Sequence, residues 1–86
     1  MNVLERTLKA LANRRRLAIL AYLKRNREAS VTEIAAAIKL SMKATSKHLR
    51  VLLLADIVER EQRSLAMYYG LATSPQQPIR AVLDLL

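Results

Sequence analysis

Between Ser30 and Leu54 two amphipathic helical patterns follow one another with only Leu40-Ser41 to turn the chain. Ser30-Val31-Thr32-Glu33 reads as a capping box, in which the Ser side chain accepts from the Glu33 backbone N–H and the Glu carboxylate accepts from the Ser30 N–H. The box opens a helix predicted from Val31 to about Lys39, with Ile34, Ala35 and Ile38 turned inward. Ser41 is placed to cap the next helix, Met42 to Leu54, whose inward side takes Thr45, Leu49 and Leu52. Two helices joined by so short a turn form a helix-turn-helix pattern, and the second carries Lys43, Lys47 and Arg50 without an acidic residue. The competing reading of that basic helix is a solvated charged face.

The flanks complete the outline. Leu4, Leu8 and Leu11, with Val3 and Ala12 beside them, fall at helical spacing opposite Glu5, Arg6 and Lys9, which predicts a first helix over residues 3–12. Asn13 reads as a cap, and a second helix follows with Leu17, Ile19, Leu20 and Leu23 apolar, ending in the charged stretch Lys24 to Glu28, expected as a solvated end or loop. After Asp56 the period changes to that of strands. Ile57–Glu61 and Ala66–Leu71 read as a hairpin around Gln62-Arg63-Ser64, a turn without the glycine that tight hairpins favour. Ser74-Pro75 resets the chain into a terminal helix over 75–86, with Ile79, Val82, Leu83 and Leu86 as its apolar stripe. The expected fold is one domain over residues 1–86, mainly α (α+β), with the order helix, helix, helix, helix, strand, strand, helix. A hairpin directly behind a helix-turn-helix is a wing, so the architecture is a winged helix-turn-helix with the helix-turn-helix at 31–54 and the wing at 57–71.

Composition narrows the function classes. Hydrophobic residues make up 52% of the 86 residues and aromatics only 3%. That is more apolar mass than one small core needs, and a second copy of the chain is the simplest cover for the excess. The formal charge of +8 attracts polyanions, nucleic acid first among them. No cysteine is present, which removes disulfides, thiolate metal sites and cysteine nucleophiles. No apolar run approaches the ~20 residues of a membrane span, charges interrupt the start of the chain where a signal peptide would lie, and a cytoplasmic protein is expected. With one His, scattered acids and no Gly-rich phosphate loop, nothing composes a catalytic site, and neither a cofactor nor a metal is expected.

At this point the sequence resembles the ArsR family of winged-helix repressors over nearly its whole length. The matching pieces are Leu8-Lys9-Ala10-Leu11-Ala12-Asn13, Arg16-Leu17-Ala18-Ile19-Leu20, Glu33-Ile34-Ala35, Leu40-Ser41, Ser46-Lys47-His48-Leu49-Arg50-Val51-Leu52, Ile57-Val58 and Tyr68-Tyr69-Gly70-Leu71, in order and in spacing. The resemblance implies a symmetric dimer built on the first and last helices, with the helix after Ser41 in the DNA major groove and Arg16 in a structural role. Four departures stand out. Ser30-Val31-Thr32 occupies the place of the family's metal-sensing Cys-x-Cys segment. The terminal helix offers only Asp84 where other members bind metal. Ser64-Leu65 replaces the wing-tip Gly-Arg, and Asp56 replaces the glycine after the recognition helix.

The residues expected to meet DNA are Ser41, Met42, Lys43, Thr45, Ser46, Lys47, His48 and Arg50, with Arg60 and Arg63 on the wing. Lys43, Ser46 and Lys47 are expected near bases and Arg50 nearer the backbone, the alternative for Lys47 and Arg50 being solvation alone. His48 has two readings, a phosphate neighbour as in the relatives or a packed histidine. Arg14 and Arg15 are candidates for flanking phosphates. Tyr68 and Tyr69 are expected to pack within the wing, and Leu53 and Leu54 leave the helix apolar almost all round near its end. Leu4, Leu8, Leu11, Ile79, Val82, Leu83 and Leu86 are the expected dimer interface. The function expected is a sequence-specific DNA-binding regulator, a repressor acting as a homodimer, with its effector unknown. The alternatives are a winged-helix protein-interaction module or a non-specific DNA-binding protein.

Overall fold

The structure is a computed structural model that describes residues 2–86. Its elements are α1 (Val3–Leu11), α2 (Arg14–Asn26), β1 (Glu28–Ser30), α3 (Val31–Ile38), α4 (Met42–Leu54), β2 (Val58–Arg63), β3 (Ala66–Leu71) and α5 (Ile79–Leu85). Each of the first four helices begins on a side-chain cap. Asn2 Oδ1 accepts from Glu5 N at 2.8 Å, and Asn13 Oδ1 from Arg15 N and Arg16 N. At α3 the capping box is complete, with Glu33 N donating to Ser30 Oγ at 3.2 Å and Ser30 N to Glu33 Oε1 at 2.8 Å. Ser41 Oγ accepts from Ala44 N at 3.1 Å. Satisfying these orphan donors fixes where each helix starts and so fixes the start of α4 after the three-residue turn Lys39-Leu40-Ser41.

The core sits where α2, α3 and α4 meet the inner face of the sheet. Ile19, Leu20, Leu23, Ile34, Leu49, Leu52 and Ile57 are fully buried there. The sheet has three strands in the order β1-β3-β2, antiparallel throughout. β1 was not expected; it begins at Glu28, the last residue of the stretch expected to be a solvated end or loop. Glu28, Ala29 and Ser30 pair with Gly70, Tyr69 and Tyr68, and Ala29 is buried against the core. The hairpin closes on Ser64-Leu65, one residue later than expected, with Arg63 opposite Ala66.

Two terminal expectations need correction. α5 begins at Ile79, not at Pro75. Pro78 explains this. In a helix starting at Pro75 its ring would collide with the carbonyl four residues back, and the residue before a proline avoids the α region. Gln77 Oε1 accepts from Ala81 N at 3.1 Å and serves the new start. In α1 only Leu11 departs from the expected subunit contact. The buried residues are Thr7, Ala10 and Leu11, while Val3, Leu4 and Leu8 stand exposed. Lys24, expected in solvent, donates to the carbonyls of Leu83 and Leu86 at the C-terminal end of α5 (2.9 and 3.2 Å). A cation there complements the helix dipole and fastens α5 to α2.

Candidate nucleic-acid interface

α4 presents one outward face. Ser41, Met42, Lys43, Ser46, Lys47 and Arg50 are exposed along it, while Thr45, Leu49 and Leu52 are fully buried on the opposite side. Thr45 is therefore removed from the DNA-contact set, because its side chain is fully buried. Among the described residues the only ion-paired cation is Arg63, so Lys43, Lys47 and Arg50 carry their charge unneutralised. No acidic residue sits in the first turn of α4, and the backbone N–H groups of that turn add positive potential at its N-terminus. Thirteen residues of helix are about 20 Å long and about 10–12 Å across, a rod that a major groove about 12 Å wide accepts. Leu53 is half-buried against the core, but Leu54 is exposed at the end of the helix.

His48 is half-buried at the side of this face, where Arg16 Nη1 lies 3.2 Å from its Nδ1. Burial, followed by the charges of Arg16 and Arg15, holds the imidazole below its usual pKa. The residue is thus both packed and adjacent to the basic face. Arg14 and Arg15 are exposed at the head of α2. With Arg25 they rim an open groove of about 480 Å³ between α2 and α3, floored by Ala18, Ala21 and Ala37.

The wing differs from expectation in its arginines. Arg63 forks onto Glu28 (2.6 and 2.5 Å) and also donates to Glu61, with its guanidinium 5.0 Å above the Tyr68 ring. In this arrangement it is a strut joining β2 to β1 across β3, with its side chain still 46% exposed. The same pairing pulls the Glu28 carboxyl below its usual pKa. Arg60 is exposed without an ion pair, beside the groove shared by Leu53, Asp56 and Thr73 at the base of the wing. Tyr69 is buried and Tyr68 half-buried, both packed as expected.

A helix-turn-helix domain family model matches residues 11–61, the span from the end of α1 through most of β2. The transcriptional activator HlyU of Vibrio cholerae serotype O1 is 37% identical over 79 residues, which make up 92% of this chain and 69% of that protein. The solved structure of reduced HlyU from Vibrio cholerae N16961 superposes with a TM-score of 0.82 at 33% identity, covering 98% of this chain and 84% of that one. The homodimeric winged helix-turn-helix DNA-binding domain Mb0332 from Mycobacterium bovis, a possible ArsR-family transcriptional regulator, superposes with a TM-score of 0.82 at 31% identity, covering 96% and 73%. The chain belongs to the ArsR family.

It is a winged helix-turn-helix transcriptional regulator of the ArsR and HlyU type, and its departures from the family pattern now have a structural meaning. Asp56 and Ser64, at the positions where the family resemblance implied glycine, both have φ 59. The left-handed backbone that glycine would supply is kept, by residue types that tolerate it to different degrees. Of the residues expected at a subunit contact, Leu11, Ile79 and Leu83 are buried within their own subunit and are corrected to core positions. Val82 is half-buried, and Leu4, Leu8 and Leu86 remain exposed. Val3 and Leu85 are exposed as well, beside the expected contact residues. Among the described residues no group of three His, Cys, Asp or Glu side chains is close enough to hold a metal ion, and no helix is long and apolar enough to cross a membrane.

Proposed function

We propose that this ArsR-family regulator binds double-stranded DNA sequence-specifically as a homodimer, with α4 of each subunit in the major groove and no thiolate metal sensor. The observation that carries the reading is the outward face of α4, where Lys43, Lys47 and Arg50 are exposed and unpaired beside Ser41 and Ser46. Lys43, Ser46 and Lys47 approach base edges, and Arg50, Ser41 and the first turn of α4 hold phosphates. One protomer measures 34 × 24 × 23 Å. Two side by side match half-sites one helical turn apart, about 34–36 Å. The exposed Val3, Leu4 and Leu8 of α1, with Leu85 and Leu86, supply the subunit contact, and the homodimeric state of the related Mb0332 domain favours the same assembly. A dimer seated across two successive grooves blocks other proteins from that duplex, and repression by occlusion is the mode we infer. The related V. cholerae protein is named an activator, so a promoter fusion carrying the bound site reads the sign.

The experiment is selection of duplexes from a random pool, followed by titration at several salt concentrations. Affinity is expected to fall steeply with salt, with a log–log slope of about −0.9 per phosphate contacted. Lys47→Ala is expected to weaken the selected duplex about tenfold or more and random duplex far less, consistent with a base contact of ~1–3 kcal/mol. Equal losses on both would reduce Lys47 to a phosphate contact. No retardation of any duplex would leave a protein-interaction module instead.

A further inference from the structure

Arg16 makes a set of contacts that neither the DNA-reading face nor the α2 cap requires. Its Nε donates to the carbonyl of Ala10 at 2.6 Å and its Nη2 to the carbonyl of Lys9 at 3.0 Å, both at the C-terminal end of α1. Its Nη1 faces His48 Nδ1 at 3.2 Å, on α4. Meanwhile Asn13 Oδ1 accepts from the Arg16 backbone N–H and holds the residue at the head of α2. All three guanidinium nitrogens are engaged, and among the described residues this side chain makes the only hydrogen-bonded link between α1 and α4. The other side of α1 carries Leu4 and Leu8 to the surface.

Guanidinium has no acceptor, so the Arg16–His48 hydrogen bond requires a lone pair on Nδ1 and places the ring proton on Nε2. Carbonyls at a helix C-terminus carry partial negative charge and suit a cation. The planar fork can satisfy two of them while reaching a third acceptor on another helix, a geometry the single ammonium of lysine cannot copy.

We propose that Arg16 is a positioning residue that locks the recognition helix α4 to the dimer helix α1 and thereby sets the half-site spacing the dimer accepts. The proposal rests on the reading that α1 pairs across the two-fold axis and α4 enters the groove. In such a dimer the separation of the two α4 helices is transmitted through the α1–α4 angle. A bridge that fixes this angle narrows the range of duplexes both subunits can meet together, and charge-assisted hydrogen bonds are strong enough to discriminate about tenfold.

Two measurements test it, and the first needs no DNA. Nitrogen-15 spectra of the histidine ring at pH 7.5 are expected to show an unprotonated Nδ1 and a protonated Nε2. A dominant Nδ1–H form overturns the bridge. The second uses a duplex selected by the unaltered protein, with its half-sites moved apart or together by one or two base pairs. The unaltered dimer is expected to prefer its own spacing about tenfold, and Arg16→Lys, still dimeric by sedimentation, only about twofold. An Arg16→Lys dimer that keeps the full preference overturns the proposal. Should Arg16→Lys fail to fold, His48→Asn and His48→Leu decide. The Asn amide oxygen replaces the Nδ1 acceptor and is expected to keep the ratio between spacings, whatever happens to absolute affinity, whereas Leu loses it. Equal ratios for Asn and Leu overturn the proposal. A protein that binds no duplex sinks the DNA reading and the spacing role together, while the ring spectra still report whether the bridge exists.

Discussion

Single residues carry two consequences that the core and its edge make measurable. Thr45 is fully buried and its Oγ1 has no hydrogen-bond partner. A buried unsatisfied hydroxyl costs about 1–3 kcal/mol, and valine fills nearly the same space without it. Thr45→Val is therefore expected to raise stability by about 1 kcal/mol in urea unfolding, leaving the outward face of α4 unchanged. A loss of stability would show that the hydroxyl is satisfied in solution. His48 gives a pH dependence with a defined sign. Its folded pKa lies below the ordinary 6.5, through burial first and then the charges of Arg16 and Arg15. The unfolded chain therefore binds the proton more readily, so stability is complete above about pH 6.5 and declines as the pH falls below it. Glu28, also lowered, acts in a separate window below its ordinary 4.5. Thermal unfolding between pH 7.5 and 5 is expected to show a falling midpoint that His48→Asn flattens.

At the scale of elements, the sheet shows how a glycine can be required without an unusual φ. Gly70, the one glycine in the chain, lies in β3 opposite Glu28, and a Cβ there would stand 3.0 Å from the carbonyl oxygen of Arg27. Arg27 ends α2 with φ 60 and ψ −55, a sparsely populated conformation held by the turn into β1, and has little freedom to retreat. Gly70→Ala is expected to cost about 1 kcal/mol despite the entropy an alanine saves, read as a lower unfolding midpoint in denaturant. A stabilised variant would mean that the α2–β1 turn yields easily. The helices were legible in the sequence because their signals are local. Ser30, Glu33 and Ser41 sit within four residues of the groups they cap, and Ile34, Leu49 and Leu52 repeat at helical spacing. β1 was not legible, since three residues show no period and their partners lie some forty positions downstream. The start of α5 could have been found: two prolines, Pro75 and Pro78, compete for the first turn, and the later one excludes the earlier.

For the whole molecule, the exposed leucines and the excess charge have separate roles. Leu8 is 47% exposed on α1 and contributes little to its own subunit's core. If the proposed dimer forms through α1, Leu8→Glu is expected to leave the fold intact by circular dichroism, give a monomer by sedimentation, and weaken the selected duplex about a hundredfold or more as the second half-site is lost. A Leu8→Glu protein that remains dimeric would move the interface away from α1. By itself the sequence determined the helices, their caps, the helix-turn-helix, the basic face of α4 and the presence of a wing, because hydrophobic periodicity and capping act over a turn or two of chain. Tertiary structure alone decided that Arg63 braces the sheet, that Thr45 lies inside, that Leu11, Ile79 and Leu83 serve the core, and that Arg16 joins α1 to α4. Each of those assignments depends on which distant side chain or carbonyl comes within hydrogen-bonding or van der Waals reach, and that distance is set only once the elements have packed.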